Sequence, residues 1–427
     1  PGVLPLAFTR RAESGYTAGR FFGPSWSSTV DERLEIDAVG VIHVTDDGLL
    51  ITYPHPVPGL PTLPESGTSR SALSRDDAGD YTLTDPETRL TKHFTGPPWA
   101  EPGEDGTAWL VQITDRNSNT ITLDRAADGT PLALVHSADH RLVLTVAEAR
   151  VTGLSLMDGT GAVHPLRSYG YASGNLSTIT QPSGSALTFE YDDARRITAW
   201  TDSNRSRYVY VYDEHDRVIA AGGEAGHVEL ALSYGHPVPA TGHRVTTLTT
   251  ADGHATRHLI DARCRVLATT DPLGHTTRST YDSHGRHLTR TDPLGRVTDF
   301  TYDEQGHLLT VTRPDGSRLT TKRDPSGSHM ETRGPDGGRR LQEFDEKGNL
   351  TALTDAAGHT TRWNLDAQGR PASVTDALGA TTTIHCDAAG MPTEVKDPAS
   401  PGPGHSRRPG SVSAPACADS APRTTAP

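Results

Sequence analysis

The sequence predicts an all-β protein, an array of short hairpins, and three observations predict it. Only 34% of the 427 residues are apolar and 6% aromatic, against a usual apolar share of about 45–50% with glycine counted in. Glycine (42) and proline (31) are abundant, which favours turns over long elements. Above all, the chain repeats itself every 21 residues.

An aromatic or apolar residue followed by aspartate recurs at Ile260-Asp261, Tyr281-Asp282, Tyr302-Asp303, Phe344-Asp345, Leu365-Asp366 and Cys386-Asp387, with Arg323-Asp324 completing the series. Glycine follows three residues after the aspartate at Gly285, Gly306, Gly327, Gly348, Gly369 and Gly390, and Cys264 alone breaks the rule. A second series runs in phase: Asp271-Pro272-Leu273-Gly274, Asp292-Pro293-Leu294-Gly295, Arg313 to Gly316, Gly334 to Gly337, Asp355 to Gly358 and Asp376 to Gly379. Both tetrads are β-turn sequences. Proline presets φ, aspartate bonds nearby amides, and glycine accepts positive φ. Between turns lie about seven residues with period two. In 296–302, Thr298, Phe300 and Tyr302 share one face, and Val297, Asp299 and Thr301 the other. That alternation fits a strand with one wet face.

Upstream the pattern weakens. Tyr169-Gly170, Tyr191-Asp192 and Tyr212-Asp213 keep a spacing of 21 or 22, and Leu123-Asp124 with Gly129 reads as a degenerate copy. The register breaks between Tyr212 and Ile260, which predicts one or two hairpins with a longer loop near Tyr234-Gly235-His236-Pro237. The expected organisation is therefore a β-rich segment over 1–105, degenerate repeats over 106–259, regular repeats over 260–397, and a tail over 398–427. That tail is rich in Ser, Ala, Pro, Gly and Arg, too polar to fold. A native disordered tail or a reading-frame shift in a GC-rich gene would each produce it.

Composition also excludes function classes. The longest apolar run, 208–212, falls far short of the ~20 residues a membrane span needs. A net charge of −13 and a pI near 5.8 supply no global attraction to nucleic acid. Cys264, Cys386 and Cys417 make neither a disulfide framework nor a metal set. The chain begins with Pro1, as a fragment or processed product would, so an unseen signal peptide says nothing about export.

Candidate chemistry is sparse. His284/His287 and His254/His258 are the closest histidine pairs among 20 histidines, yet on strands and turns those spacings do not share a face, and surface imidazole is the reading. Asp282, Asp303, Asp345, Asp366 and Asp387 read as turn residues rather than calcium ligands, since no EF-hand or β-roll pattern accompanies them. Tyr281 and Tyr302 read as packing residues. Pro97-Pro98-Trp99 reads as a plain loop. No nucleophile elbow, phosphate loop or zinc-peptidase helix is present. No catalytic, cofactor-binding or metal residue is assigned, no cofactor is expected, and the chain is read as a non-enzyme.

Tyr-Asp-x-x-Gly alternating with Asp-Pro-x-Gly at a 21-residue period resembles the rearrangement-hotspot (Rhs) or YD-repeat family. Leu4-Pro5-Leu6, Phe21-Phe22-Gly23-Pro24-Ser25-Trp26 and Asp31-Glu32-Arg33-Leu34-Glu35 resemble the segment that opens the repeats in bacterial members. The resemblance covers about residues 1–397. It implies that the hairpins join into one curved sheet that spirals into a hollow shell, which in bacterial polymorphic toxins encloses a C-terminal toxin; animal teneurins and bacterial wall-associated proteins carry similar repeats at cell surfaces. Nothing after Asp397 matches the family's self-cleaving core motif or a toxin domain, so no autoproteolytic aspartate is carried over. The expected function is an encapsulating shell of a secreted or surface-displayed toxin, with toxin cargo or secretion components as partners. The alternative is a binder of cell-surface or cell-wall carbohydrate. An exposed last repeat would also associate edge to edge.

Overall fold

The computed structural model describes residues 4–65, 69–96, 106–226, 228–323, 329–387 and 390–398. The turn at Asp324 to Gly327, the Pro97 to Trp99 loop and the tail beyond residue 398 lie outside the described residues.

Turn chemistry dictates the architecture. In the Tyr-Asp tetrads the glycine N–H closes a turn onto the aspartate carbonyl, as from Gly285 to Asp282 at 3.2 Å and from Gly369 to Asp366 at 3.0 Å. The glycine then lies at positive φ, 83° for Gly285 and 79° for Gly369. Each such hairpin carries a bulge at the Tyr-Asp position, between Thr280 and Tyr281, Thr301 and Tyr302, and Asn364 and Leu365. A turn followed by a left-handed residue and a bulge is a standard three-residue hairpin connection. Cys264 holds the same conformation at φ 60° and still bonds Asp261, so the repeat tolerates the strain that a Cβ brings there. Arg195 and Asp216 do likewise, at 62° and 61°.

Because both tetrads reverse the chain, every strand pairs antiparallel with the next. Ala72–Arg75, Tyr81–Thr84, Thr91–Thr95 and Gly106–Thr114 start a sheet that continues strand by strand in chain order to Pro392–Lys396. The turns consequently alternate between two rims. One rim carries the Tyr-Asp turns and the other the Asp-Pro-x-Gly turns. The irregular stretch resolves into Leu230–Tyr234 and Arg244–Thr250, paired across a loop at 235–243, as the break in register suggests.

One expectation fails locally. Asp124 does not open a turn: it lies within Thr120–Arg125, paired with Arg141 at 2.9 Å, and the turn runs from Ala126 to Gly129 instead. The copy is shifted by two residues, and the ion pair of Asp124 spans the intervening strand Pro131–His136.

Hydrophobic burial is uneven. The N-terminal segment lies against the inner face of the first repeats, with Phe22 edge-on to Tyr169 at 5.1 Å and Trp26 edge-on to Phe189 at 5.2 Å. Phe22, Val30, Leu34, Tyr53, Leu73 and Leu110 are wholly enclosed. Among the described residues, Ala352 is the sole buried hydrophobic residue beyond Ala199. The register carries the same inner face onward to Phe300, Phe344, Trp363 and Ile384, all half-buried. Among the described residues, the chain thus fills its own first repeats and leaves the later ones lined but unfilled.

Candidate functional site: turn ladder, anchor and seam

Three constructions position the wall. The first repeats along the Tyr-Asp rim. Asp282 Oδ1 accepts the N–H groups of His284 and Arg286, both at 2.9 Å, and its Oδ2 accepts Arg286 Nε at 2.5 Å. Asp192, Asp213, Asp261 and Asp366 repeat the arrangement with Arg196, Arg217, Arg265 and Arg370, at 2.7 to 2.8 Å. The arginine bond leads the causes that hold Asp213 down at about 2. Arg196, Arg265 and Arg370 also donate to a carbonyl of the next repeat. Arg265 Nη1 donates to the Asp282 carbonyl at 2.9 Å, and Arg196 Nη1 to that of Asp213 at 3.1 Å.

The tyrosines complete this ladder. Arg196, Arg217, Arg265 and Arg286 lie over the rings of Tyr212, Tyr234, Tyr281 and Tyr302, 4.3 to 5.4 Å from the centroids. The Tyr281 and Tyr302 hydroxyls donate to the Val266 and His287 carbonyls at 2.8 Å. Burial raises both phenols above their usual range. The aspartates are therefore turn residues and the tyrosines packing residues, as their spacing suggests. A planar, fully charged guanidinium suits this double duty better than an ammonium would.

The second construction is a buried charged anchor, which sequence reasoning missed because a run of charges ordinarily reads as a solvated face. Asp31, Glu32 and Arg33 are 0%, 2% and 1% exposed. Asp31 accepts the backbone N–H groups of Arg20 and Phe21, both at 2.9 Å, and the Ser28 hydroxyl. Glu32 lies between Lys92 Nζ at 2.6 Å and His43 Nε2 at 2.7 Å. Arg33 donates to the carbonyls of Asp31 and Ala18, and Arg125 to those of Val30, Leu110 and Gly129. Buried charge is tolerated only when partnered in this way. The set fixes the N-terminal segment to the sheet.

The third construction is a seam between distant parts of the sheet. Asn117 and Asn349 exchange amide hydrogen bonds at 2.9 and 2.8 Å across 232 residues. Arg116 donates to the Gly348 carbonyl, Arg89 to that of Lys347 at 3.3 Å, and Asn119 to that of Gln368 at 3.1 Å. Arg70 approaches His307. Tyr-Asp turns at 303–307, 345–349 and 366–370 thus sit on the opposite rim of the sheet's beginning. The sheet has wound once and its second course rests on the first. The contacts join strands about 22 apart, which at ~4.8 Å per strand makes a winding of roughly 105 Å.

The histidine pairs separate. His254 pairs with Asp252 at 2.5 Å while His258 meets Thr269 at 3.2 Å. His287 packs on the Tyr281 ring at 4.5 Å while His284 contacts Ser283. Among the described residues no group of three or more His, Cys, Asp and Glu side chains could hold a metal ion, and no helix is long and apolar enough to cross a membrane.

Comparison with known proteins agrees with this geometry. The RHS repeat family matches at 171–199, 281–318, 344–381 and 366–400, stretches that include the ladder turns at Asp192, Asp282 and Asp366. The chain carries RHS repeats over these stretches. A domain of unknown function, DUF6531, matches residues 1–53 of this Rhs-repeat chain, which span the buried anchor. No curated protein matches it in sequence.

Solved structures similar to the Rhs-repeat chain include TcdB2-TccC3 without its hypervariable C-terminal region, at 10% identity over 88% of this chain and 27% of that one, with a TM-score of 0.37. The TcdB2-TccC3 structure is 12% identical over 93% and 28%, with a TM-score of 0.34. A Photorhabdus luminescens Tc holotoxin pore is 11% identical over 75% and 27%, with a TM-score of 0.26. The chain spans about a quarter of the length of each.

Proposed function

We propose that this Rhs-repeat chain is wall: part of an encapsulating shell of a secreted or surface-displayed toxin, with no catalysis of its own. Residues 1–105 open the wall and 106–397 form its hairpins. The observation that supports this reading is the division of the inner face. The N-terminal segment covers the first repeats, while Phe300, Phe344, Trp363 and Ile384 line the later ones without a filling from the described residues. Half-buried apolar groups on a concave wall suit a partly unfolded polypeptide, which offers apolar surface in many registers.

The test is protease protection in the whole gene product. A toxin segment encoded beyond these repeats should resist a protease that digests the same segment made alone. Equal digestion rates would overturn the reading. The carbohydrate alternative has no observation in its favour at Tyr281 and Tyr302, whose hydroxyls and ring faces are already used. Glycan binding lost on Tyr281→Ala and Tyr302→Ala would revive it.

A further inference from the structure

The seam shows what the two rims can do for each other. A course of Tyr-Asp turns seats on the opposite rim of the course beneath it, tip against tip. That opposite rim continues late in the first course as the turns at 271–274 and 292–295, and in the second as those at 313–316, 334–337, 355–358 and 376–379. Among the described residues nothing covers it. Leu273, Leu294 and Leu378 occupy the third position of their turns and are 81%, 78% and 92% exposed. A Cβ built on Gly274, Gly295, Gly316, Gly337, Gly358 or Gly379 would meet no atom within 4 Å.

Leucine at a rigid turn tip gains nothing from solvent and would gain substantially from cover. The side chains cannot fold back, because each turn is fixed by its aspartate. Asp271 Oδ1 accepts the N–H of Leu273 at 2.9 Å, Asp292 that of Leu294 at 2.9 Å, and Asp376 that of Leu378 at 2.9 Å.

The matching surface is on the same chain. Tyr-Asp turns at 192–195, 213–216, 261–264 and 282–285 form the far rim. Both rims present one turn for every two strands, a pitch of about 9.6 Å, so the two rims stay in step and meet turn for turn, as they do in the seam. We propose that the Asp-Pro-x-Gly rim over residues 271–379 is a self-docking surface, which takes the Tyr-Asp rim of a second copy of this chain. The contact is continuous with the seam and uses the same pairing of rims. It is heterologous, head to tail, and therefore extends beyond a dimer. A bilayer is the poorer occupant, because Asp315 and Asp336 hold the same turn position between Leu294 and Leu378 and interrupt any apolar strip.

Sedimentation equilibrium of the 427-residue chain over a micromolar range tests this. The expected result is association beyond dimer that weakens at least tenfold in the triple variant Leu273→Ser, Leu294→Ser, Leu378→Ser. Leucine-to-methionine changes at the same three sites should restore it. These tips are exposed, so the triple variant should keep the parent's melting temperature, which separates lost docking from lost folding. Thr393→Pro with Val395→Lys, which spoils the edge strand Pro392–Lys396, should leave the association unchanged. A chain that stays monomeric throughout overturns the proposal. So does association that survives the triple variant, or that disappears with the edge-strand change. Flotation with phosphatidylcholine vesicles that is lost in the triple variant would assign the rim to a membrane surface instead, and would also overturn it.

Discussion

Gly369→Ala should destabilise the chain by about 3 kcal/mol, whereas Gly379→Ala, one turn onward on the other rim, should cost only about 1 kcal/mol. Both glycines hold positive φ, 79° and 86°, so both substitutions carry the same backbone strain. They differ in what a Cβ would meet. At Gly379 it enters open space, while at Gly369 it would lie 2.1 Å from Asn117 Nδ2. Asn117 cannot yield without breaking its amide pair with Asn349, and a buried amide left unpaired is penalised by about 1–3 kcal/mol. Denaturant melts of the two variants against the parent measure the difference. Equal losses would show that the seam carries no stability.

Glu32→Gln should cost about 3–5 kcal/mol, because it removes one partner of a buried charge cluster and leaves Lys92 and His43 without their anion. Burial alone would push the Glu32 carboxyl up, but Lys92 and His43 together outweigh it and hold the pKa down at about 2. A folded value below the unfolded ~4.3 means that Glu32 stabilises the native state above that pH. The contribution is lost as pH falls from about 5 towards 2. The parent should therefore lose stability across that window more steeply than Glu32→Gln does. Urea melts of both proteins between pH 6 and 2 check this, and parallel curves would contradict it.

The turn ladder was legible in the sequence because its parts are local. Aspartate, glycine and the arginine after it fall within five residues, and period-two strands join them. Even the inner face of 296–302 could be assigned from alternation alone. The anchor was not legible. Asp31-Glu32-Arg33 looks like a solvated face until Lys92, His43 and Arg125 arrive from strands up to 95 residues away. The seam was less legible still. It depends on how many hairpins make one winding, a sum of small twists between strands, and no residue near Asn117 announces a partner 232 residues on. Asp124 misled for a local reason: the turn that ends on Gly129 opens at Ala126, two residues later, and the aspartate stays in the strand.

That the sheet is a spiral whose second course rests on the first is the claim on which the rest depends. It is tested most directly by cross-linking Asn117→Cys to Asn349→Cys in a chain whose native Cys264, Cys386 and Cys417 are replaced by serine. Oxidation or a short bismaleimide should join the two sites within one chain, read as an intramolecular cross-linked peptide by mass spectrometry. The pair Asn117→Cys and Gly379→Cys, separated by the width of the second course, should stay unlinked. An open, unwound sheet would give no 117–349 product, or would give it only between chains, and would contradict the account.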